Sequence, residues 1–210
     1  MSLRVTVLVS GEGSNLQAIL DSVHGAEAEV VGVGSNRAEA RGLERALAAG
    51  VEAAVFPTAD YADRAARDAA MGDWIETLGT ELLVLAGFME ILSPEFIRRF
   101  AGRIVNVHPS LLPAFGGIRS IEQALDYGVK VMGVTVHFVD EGVDTGPIIL
   151  QEAFDVLPYS RDIAAIEERV HQIEHRLLPR AVALIAAGKV RIDPDSPRYV
   201  IVEGGSDGDD

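Results

Sequence analysis

The chain has 210 residues, of which 48% are hydrophobic and 24% are charged, and it contains no cysteine. This hydrophobic content supplies a buried core and excludes disorder as the main state, and the length fits one large domain or two small ones. The lack of cysteine excludes disulfides, thiolate nucleophiles and cysteine-ligated metals. A formal net charge of −14 argues against a surface that neutralises nucleic-acid phosphates or lies on anionic lipid.

Membrane and export signals are also missing from the sequence. The longest apolar run, 82–89, is far shorter than the about 20 residues of a membrane-spanning helix. The apolar segment 3–9 is too short for the core of a signal peptide. We therefore expect a cytoplasmic protein that binds neither nucleic acid nor membrane.

Apolar, β-branched segments alternate with helical stretches through the first half of the chain. Strands are predicted at 3–9, 30–33, 53–56, 82–86 and 104–107. Helices are predicted after residue 14, at 38–49 and at 62–78. This alternation predicts an α/β fold with a doubly wound, mostly parallel sheet and a Rossmann-like N-terminal half.

Two further strands and one long helix are predicted in the second half. The segments 131–139 and 147–156 alternate in hydropathy around a glycine-containing loop, which predicts an antiparallel hairpin that extends the same sheet. Apolar residues spaced three and four apart predict one long amphipathic C-terminal helix. Since no linker or repeat interrupts 1–202, we predict a single domain there, with halves 1–100 and 101–202, and a disordered acidic tail at 203–210.

The first glycine-rich loop, Gly11-Glu12-Gly13-Ser14-Asn15, joins the first predicted strand to a helix. Small residues in such a loop let backbone N–H groups approach a phosphate at the positive end of the helix. The loop lacks the third glycine of a dinucleotide fingerprint and the Gly-Lys-Ser/Thr of a Walker A loop, so NAD and ATP hydrolysis are disfavoured. A tight turn without a ligand is the structural alternative.

Asn106 and His108 mark the end of a central strand. Because residues alternate along a strand, both side chains face the same side, at the sheet edge where open α/β proteins bind ligands. A histidine that is merely hydrogen-bonded in a loop is the structural alternative for His108. Ser110 is disfavoured as a hydrolase nucleophile, because it lacks the surrounding Gly-x-Ser-x-Gly elbow.

The acidic segment 137–147 brings carboxylates to the same edge of the sheet. Its spacing excludes an EF-hand calcium loop. A metal site made of His108, His137 and Asp140 or Asp144 remains open, as does a carboxylate that orients a catalytic histidine. We expect His137 to be structural and hydrogen-bonded within the sheet.

Five segments taken together resemble the folate-dependent formyltransferases, and the first loop narrows the resemblance to the phosphoribosylglycinamide formyltransferase family of purine synthesis. They are GEGSNLQ at 11–17, SNR at 35–37, LAGFM at 85–89, NVHPSLLP at 106–113 and DEGVDTGP at 140–147. The resemblance spans nearly the whole chain. It implies transfer of a formyl group from 10-formyltetrahydrofolate, a formyl-donating cosubstrate, to the amine of glycinamide ribonucleotide, without a metal.

The resemblance also implies roles for individual residues and for the two halves. The catalytic trio would be Asn106, His108 and Asp144, and the glycinamide ribonucleotide site would comprise Gly13, Ser14, Asn15 and Glu174. The folate pocket would comprise Arg64, Met89, Glu90, Ile91, Leu92, Asn106, Asp140, Glu141, Gly142, Val143 and Asp144. The resemblance also implies a phosphate-binding half at 1–100 and a catalytic and folate-binding half at 101–202, with Arg64 and 89–92 added to the folate pocket from the first half.

Two positions depart from the family pattern. Glu90 stands where many members carry Arg, and Gly116-Gly117 stands where Pro-Gly is common. A side-chain contact from Glu90 to folate is therefore not implied, although main-chain groups of the same segment can hold a pterin. Gly116 implies a looser substrate loop.

Other functions fit parts of this pattern. A formyltetrahydrofolate deformylase shares the trio but normally has a further N-terminal regulatory domain, whereas the first strand here begins at Leu3. A tRNA formyltransferase would carry a basic C-terminal module, and this C-terminus is acidic. A non-catalytic phosphate-ligand sensor is disfavoured by the intact trio. The sequence is compatible with a weak homodimer but contains nothing that specifies one.

Overall fold

The computed structural model describes residues 2–157 and 162–203. Its strands are β1 (Leu3–Val9), β2 (Ala28–Ser35), β3 (Ala53–Val55), β4 (Leu82–Leu85), β5 (Ile104–His108), β6 (Val131–Phe138), β7 (Ile148–Asp155), β8 (Val190–Asp193) and β9 (Ser196–Val202). Its α-helices are α1 (Ser14–Ser22), α2 (Arg41–Ala48), α3 (Arg64–Thr77), α4 (Pro94–Arg99), α5 (Ser120–Tyr127) and α6 (Ile163–Ala186), with a 3₁₀ turn at Thr58–Asp60.

The main sheet has seven strands in the order β3-β2-β1-β4-β5-β6-β7. The strands from β3 to β5 are parallel, and β6 and β7 join them as an antiparallel hairpin. This arrangement confirms the predicted α/β fold with its doubly wound, mostly parallel sheet. The strand order reverses between β1 and β4, and the carboxyl ends of these two neighbouring strands open the crevice in which such sheets bind ligands.

Helices cover both faces of the sheet, because the central strands place apolar residues on each face. On one face, Val5, Val7 and Val9 pack into a core shared with α1, α2 and α6. On the other face, Leu8 packs into a second core shared with α3 and α4. The 24-residue helix α6 continues through Pro179 and buries an apolar stripe against the first core.

Several elements differ from the sequence-based expectation. The helices α2 and α3 are shorter than predicted, and α4, α5 and the β8–β9 hairpin were not predicted. Helices of six and eight residues offer too few turns for a clear apolar period. Glu203, which the sequence assigned to the tail, donates its N–H to Lys189 O across the base of this hairpin, and residues 204–210 of the predicted tail lie outside the described residues.

Among the helices within 2–157 and 162–203, none combines the length and the apolar character needed to cross a membrane.

Candidate functional site

A cavity of about 460 Å³ lies at the carboxyl ends of β1, β4 and β5. The loop at 10–15 forms one wall, and Gly87, Met89 and Pro109 form another. A third wall comes from one face of α6, which presents Glu167, Val170, His171 and Glu174. The predicted phosphate loop and the predicted amine-site residue therefore line one cavity.

The backbone of the first loop depends on glycine. Gly13 has a φ of +71°, and a Cβ added there would lie 2.6 Å from the Cα of Gly42, which is closer than real Cβ atoms approach. Gly13 is also the N-cap of α1 and has no side chain to accept the first N–H groups of the helix. These groups can therefore serve a phosphate.

The carboxylate within this loop is already neutralised. Glu12 Oε1 lies 2.8 Å from Arg41 Nη1 and 2.9 Å from Arg45 Nη2. Arg37 also lines the cavity. The loop can therefore accept an anion even though it contains a glutamate.

Asn15 and Glu174 connect the loop to α6. Asn15 Nδ2 donates to Glu174 Oε2 at 3.0 Å, and the buried Oδ1 of Asn15 has no hydrogen-bond partner. Burial raises the pKa of the Glu174 carboxyl, and the hydrogen bond from Asn15 and the charges of His171 and His108 offset part of that rise. A buried amide oxygen without a partner beside a buried carboxyl suits a ligand that brings its own N–H or O–H donors.

The three predicted catalytic side chains meet beside this cavity. Asn106 and His108 project from the same side of β5, as their spacing predicts, and Asp144 comes from the loop between β6 and β7. Asp144 Oδ2 lies 3.4 Å from His108 Nδ1, and Asp144 Oδ1 lies 3.4 Å from Asn106 Nδ2. The carboxylate therefore faces both the imidazole and the amide.

His137 has a more specific place than the sequence indicated. It pairs with Asn106 across β5 and β6, and its Nε2 lies 3.2 Å from Asn106 Nδ2 and 3.7 Å from Asp144 Oδ1. Its Nδ1 donates to Phe138 O at 2.8 Å, and burial lowers its pKa. A neutral ring with the proton on Nδ1 leaves Nε2 to accept the N–H of Asn106, which orients that amide.

The loop after β5 closes over His108. His108 Nε2 donates to Phe115 O at 2.9 Å, and the N–H of Gly117 donates to Asp144 Oδ2 at 2.7 Å. Gly117 has a φ of +82°, which favours glycine, whereas a Cβ at Gly116 would make only ordinary contacts. Gly117, and not Gly116, therefore supplies the backbone conformation that reaches the carboxylate of Asp144.

The predicted folate residues are only partly gathered. Leu92 is buried and Met89 and Ile91 are exposed on the segment that follows β4, while Val143 is exposed on the loop that carries Asp144. On that loop Asp140 accepts the N–H of Gly142, and Glu141 is paired with Arg98 of α4. Arg64, at the exposed start of α3, lines neither the large cavity nor a smaller one of about 270 Å³ that adjoins Asp144 and Gly116.

His171 is the site residue that the sequence missed. It is not among the predicted site residues, yet it lines the large cavity with Glu174. Its spacing of three residues from Glu174 puts both on one face of α6, and this spacing could have indicated its place. Within the described part of the chain, no three His, Asp or Glu side chains are grouped so that they could hold a metal ion.

Comparisons with known proteins give one consistent answer. The sequence pattern of the formyl transferase family matches residues 3–182. A phosphoribosylglycinamide formyltransferase of Haemophilus influenzae is 40% identical over 191 residues, which cover 90% of this chain and 90% of that protein. The crystal structure of glycinamide ribonucleotide transformylase 1 from Symbiobacterium toebii superposes with a TM-score of 0.91 at 45% identity, and the match covers 96% of this chain and 94% of that one.

A longer relative matches as well. The trifunctional purine biosynthetic protein adenosine-3 of Drosophila pseudoobscura pseudoobscura is 47% identical over 192 residues, which cover 90% of this chain. The chain spans 14% of the length of that protein.

Replacing Glu174 with Gln should stabilise the fold at neutral pH. Because burial raises the pKa of Glu174, the folded state binds its proton more tightly than the unfolded chain does. The wild type therefore loses stability as pH rises from the ordinary carboxyl pKa of about 4.3 through the raised value, and then remains at the lower level. Glutamine has no such proton to lose, so the Tm of the variant relative to the wild type should increase over that range.

Thermal unfolding followed at about pH 4 and about pH 8 tests this expectation, with a Tm change of about 2–4 °C for each kcal/mol. Glu168→Gln, on an exposed face of the same helix, is the control and should show little change. A Glu174→Gln variant that is less stable than the wild type at the higher pH would contradict a raised pKa for Glu174.

Proposed function

The chain belongs to the formyl transferase family, as its sequence motifs indicated, and we propose that it acts as a phosphoribosylglycinamide formyltransferase of purine biosynthesis. The observation that carries this proposal is the meeting of Asn106, His108 and Asp144 beside the cavity that contains the glycine-rich loop and Glu174. Similar chains that bear this name match along most of their length. The deformylase and the sensor considered from the sequence are not favoured.

Glycinamide ribonucleotide is the proposed acceptor in the large cavity. Its phosphate would bind the N–H groups of Gly13, Ser14 and Asn15 at the start of α1. The amide oxygen of Asn15 has no partner and can accept a ligand hydroxyl or N–H. Glu174 lies beside it and is proposed to hold the amine end of the acceptor.

The proposed donor is 10-formyltetrahydrofolate. Main-chain groups of 89–92 and of 140–144 would hold its pterin, and the exposed apolar side chains of Met89, Ile91 and Val143 can cover its rings. Arg64, the first residue of α3, lines neither cavity and would contact the donor only where the donor extends to the start of that helix. Predictions of a cytoplasmic location and of a weak homodimer remain predictions.

The reaction forms a bond between the acceptor nitrogen and the formyl carbon and breaks the bond from that carbon to the donor nitrogen. In the tetrahedral intermediate the formyl oxygen carries negative charge. Asn106 gives one N–H to His137, and its second N–H, with Asp144 Oδ1 at a long 3.4 Å, can donate to that oxygen instead. Asn106 would thereby stabilise the charge that develops.

His108 would supply the proton that the leaving nitrogen needs. Its Nε2 donates to Phe115 O in the structure, so the substrate atom that receives the proton would take the place of that carbonyl. Asp144, 3.4 Å from Nδ1, orients the ring and stabilises its positive charge. The acceptor amine loses one proton, and this proton replaces the one that His108 gives to the leaving nitrogen. The formylated acceptor and tetrahydrofolate then leave without a covalent enzyme intermediate.

An assay of tetrahydrofolate release tests the proposed function. The purified chain should release tetrahydrofolate from 10-formyltetrahydrofolate when glycinamide ribonucleotide is present and should form an equal amount of formylated acceptor. Release without the acceptor would indicate a deformylase, and no release under either condition would indicate a non-catalytic protein.

Asp144→Asn should lower kcat by about 100-fold or more and leave both KM values nearly unchanged, because it keeps the size of the side chain and removes its charge. His108→Ala should lower kcat further. The double variant should have nearly the same kcat as His108→Ala alone, since an orienting group has no effect once its target is gone. Asp155→Asn, at the exposed end of β7, is the control. Fully additive losses in steady-state kinetics would show that Asp144 acts independently of His108.

Gly13→Ala should raise the KM for glycinamide ribonucleotide by about tenfold or more and leave the KM for the donor nearly unchanged. The added Cβ meets the backbone of Gly42 and moves the N–H groups that would bind phosphate. Gly50→Ala is a matched control, because Gly50 also has a positive φ, +72°, but has open space around its Cβ position. Equal increases in both KM values would count against a phosphate role for the loop.

A further inference from the structure

A fully buried arginine lies beneath the segment 87–93, here called the donor segment because it is proposed to hold the folate. Arg67 of α3 has no exposed surface. Its Nε and Nη2 donate to Asp68 Oδ1 at 2.9 and 2.6 Å, and its Nη1 donates to Thr58 Oγ1 at 3.2 Å. A guanidinium removed from water is costly unless carboxylates compensate it, so its partners are expected to matter.

Both carboxylates that face Arg67 also hold the donor segment. Glu90 Oε2 lies 3.3 Å from Arg67 Nη1, and Asp68 Oδ2 accepts the N–H of Ser93 at 2.6 Å. The guanidinium also lies 6.0 Å from the centre of the Phe88 ring. Three residues of the donor segment are thus attached, directly or through Asp68, to one buried cation.

The second oxygen of Glu90 is held from the other side. Asn36 Nδ2 donates to Glu90 Oε1 at 3.1 Å, and Asn36 Oδ1 accepts from Ser10 Oγ at 2.6 Å. Ser10 Oγ in turn accepts the N–H of Met89 at 2.8 Å. The donor segment is therefore fixed at Met89, Glu90 and Ser93, and one of these ties comes from the residue that precedes the phosphate loop.

We propose that Arg67 and Glu90 are positioning residues for the formyl donor, and that their ion pair holds the main chain of the donor segment in the shape that binds it. Both carboxylate oxygens of Glu90 already bind protein groups, Oε2 to Arg67 and Oε1 to Asn36. Glu90 therefore acts on the formyl donor through the backbone of 89–92 and not by direct contact. This inference rests on the proposed function, because it takes the donor to lie on this segment.

The pair also explains the departure at position 90. An arginine there would bring a second guanidinium to the place where Glu90 now faces Arg67, and like charges in a partly buried site repel strongly. With Arg67 in α3, an anion at position 90 is therefore favoured over a second cation. The two positions are 23 residues apart in sequence and belong to different elements, so the sequence pattern alone does not reveal the pair.

Steady-state kinetics of three variants test the pair. Glu90→Ala should raise the donor KM by about tenfold, and Glu90→Gln, which keeps the oxygen that Asn36 binds, should raise it by about threefold. The KM for glycinamide ribonucleotide should stay within about twofold and kcat within about threefold, because the trio is untouched. Arg67→Met should raise the donor KM at least as much as Glu90→Ala; it leaves Asp68 buried without its cation and can fail to fold, so the Glu90 variants carry the test independently.

Glu76→Gln is the matched control, because Glu76 lies on the same helix and pairs with Arg99 Nη2 at 2.7 Å, away from the donor segment. Its donor KM should equal that of the wild type. An unchanged donor KM in Glu90→Ala, or equal rises in both KM values, would overturn the inference. A raised donor KM in Glu90→Ala with a wild-type value in folded Arg67→Met would make Glu90 a contact residue and would also overturn it. A wild type that transfers no formyl group would instead refute the proposed function.

Discussion

The reversal of strand order between β1 and β4 is the constraint on which the site depends. In the sheet, β2 lies on the outer side of β1 and β5 lies on the outer side of β4. The chain therefore leaves the ends of β1 and β4 toward opposite faces of the sheet. The loop after β1 enters α1 and the first core, and the segment after β4 leads to α4 and the second core. An acceptor and a donor can therefore approach one crevice from separate walls, with the end of β5 between them.

The chain is strongly acidic, but the carboxylates at this crevice have compensating partners. Glu12 in the phosphate loop is paired with two arginines, and Glu90 in the donor segment is paired with Arg67. Asp144 faces two histidines instead, and Glu174 is buried enough that its pKa is raised. Carboxylates in the two proposed substrate-binding segments are thus compensated by permanent cations, while the carboxyls close to the proposed chemistry lie beside histidines and hydrogen-bond donors.

The sequence predicted what depends on local periodicity and on strand ends. The strand β4 is apolar on both faces because helices cover both faces of the sheet, and Asn106 and His108 share one side of β5 because strand residues alternate. Features that depend on distant partners were not predictable in the same way. The bond between Glu90 and Asn36 joins residues 54 apart. The short helix α4 is defined by its Ser93 cap and by the burial of Phe96 and Ile97 more than by any period.

The two oxygens of Asp144 have separate tasks, and His137 makes this division possible. Asp144 Oδ1 faces His137 and Asn106, while Oδ2 faces His108 and accepts the N–H of Gly117. Burial lowers the pKa of His137, so its ring stays neutral and its Nε2 accepts from Asn106. A protonated ring at that position would compete for the carboxylate and would present a donor to the amide N–H of Asn106. The neutral histidine therefore fixes the amide and leaves the charge of Asp144 to His108.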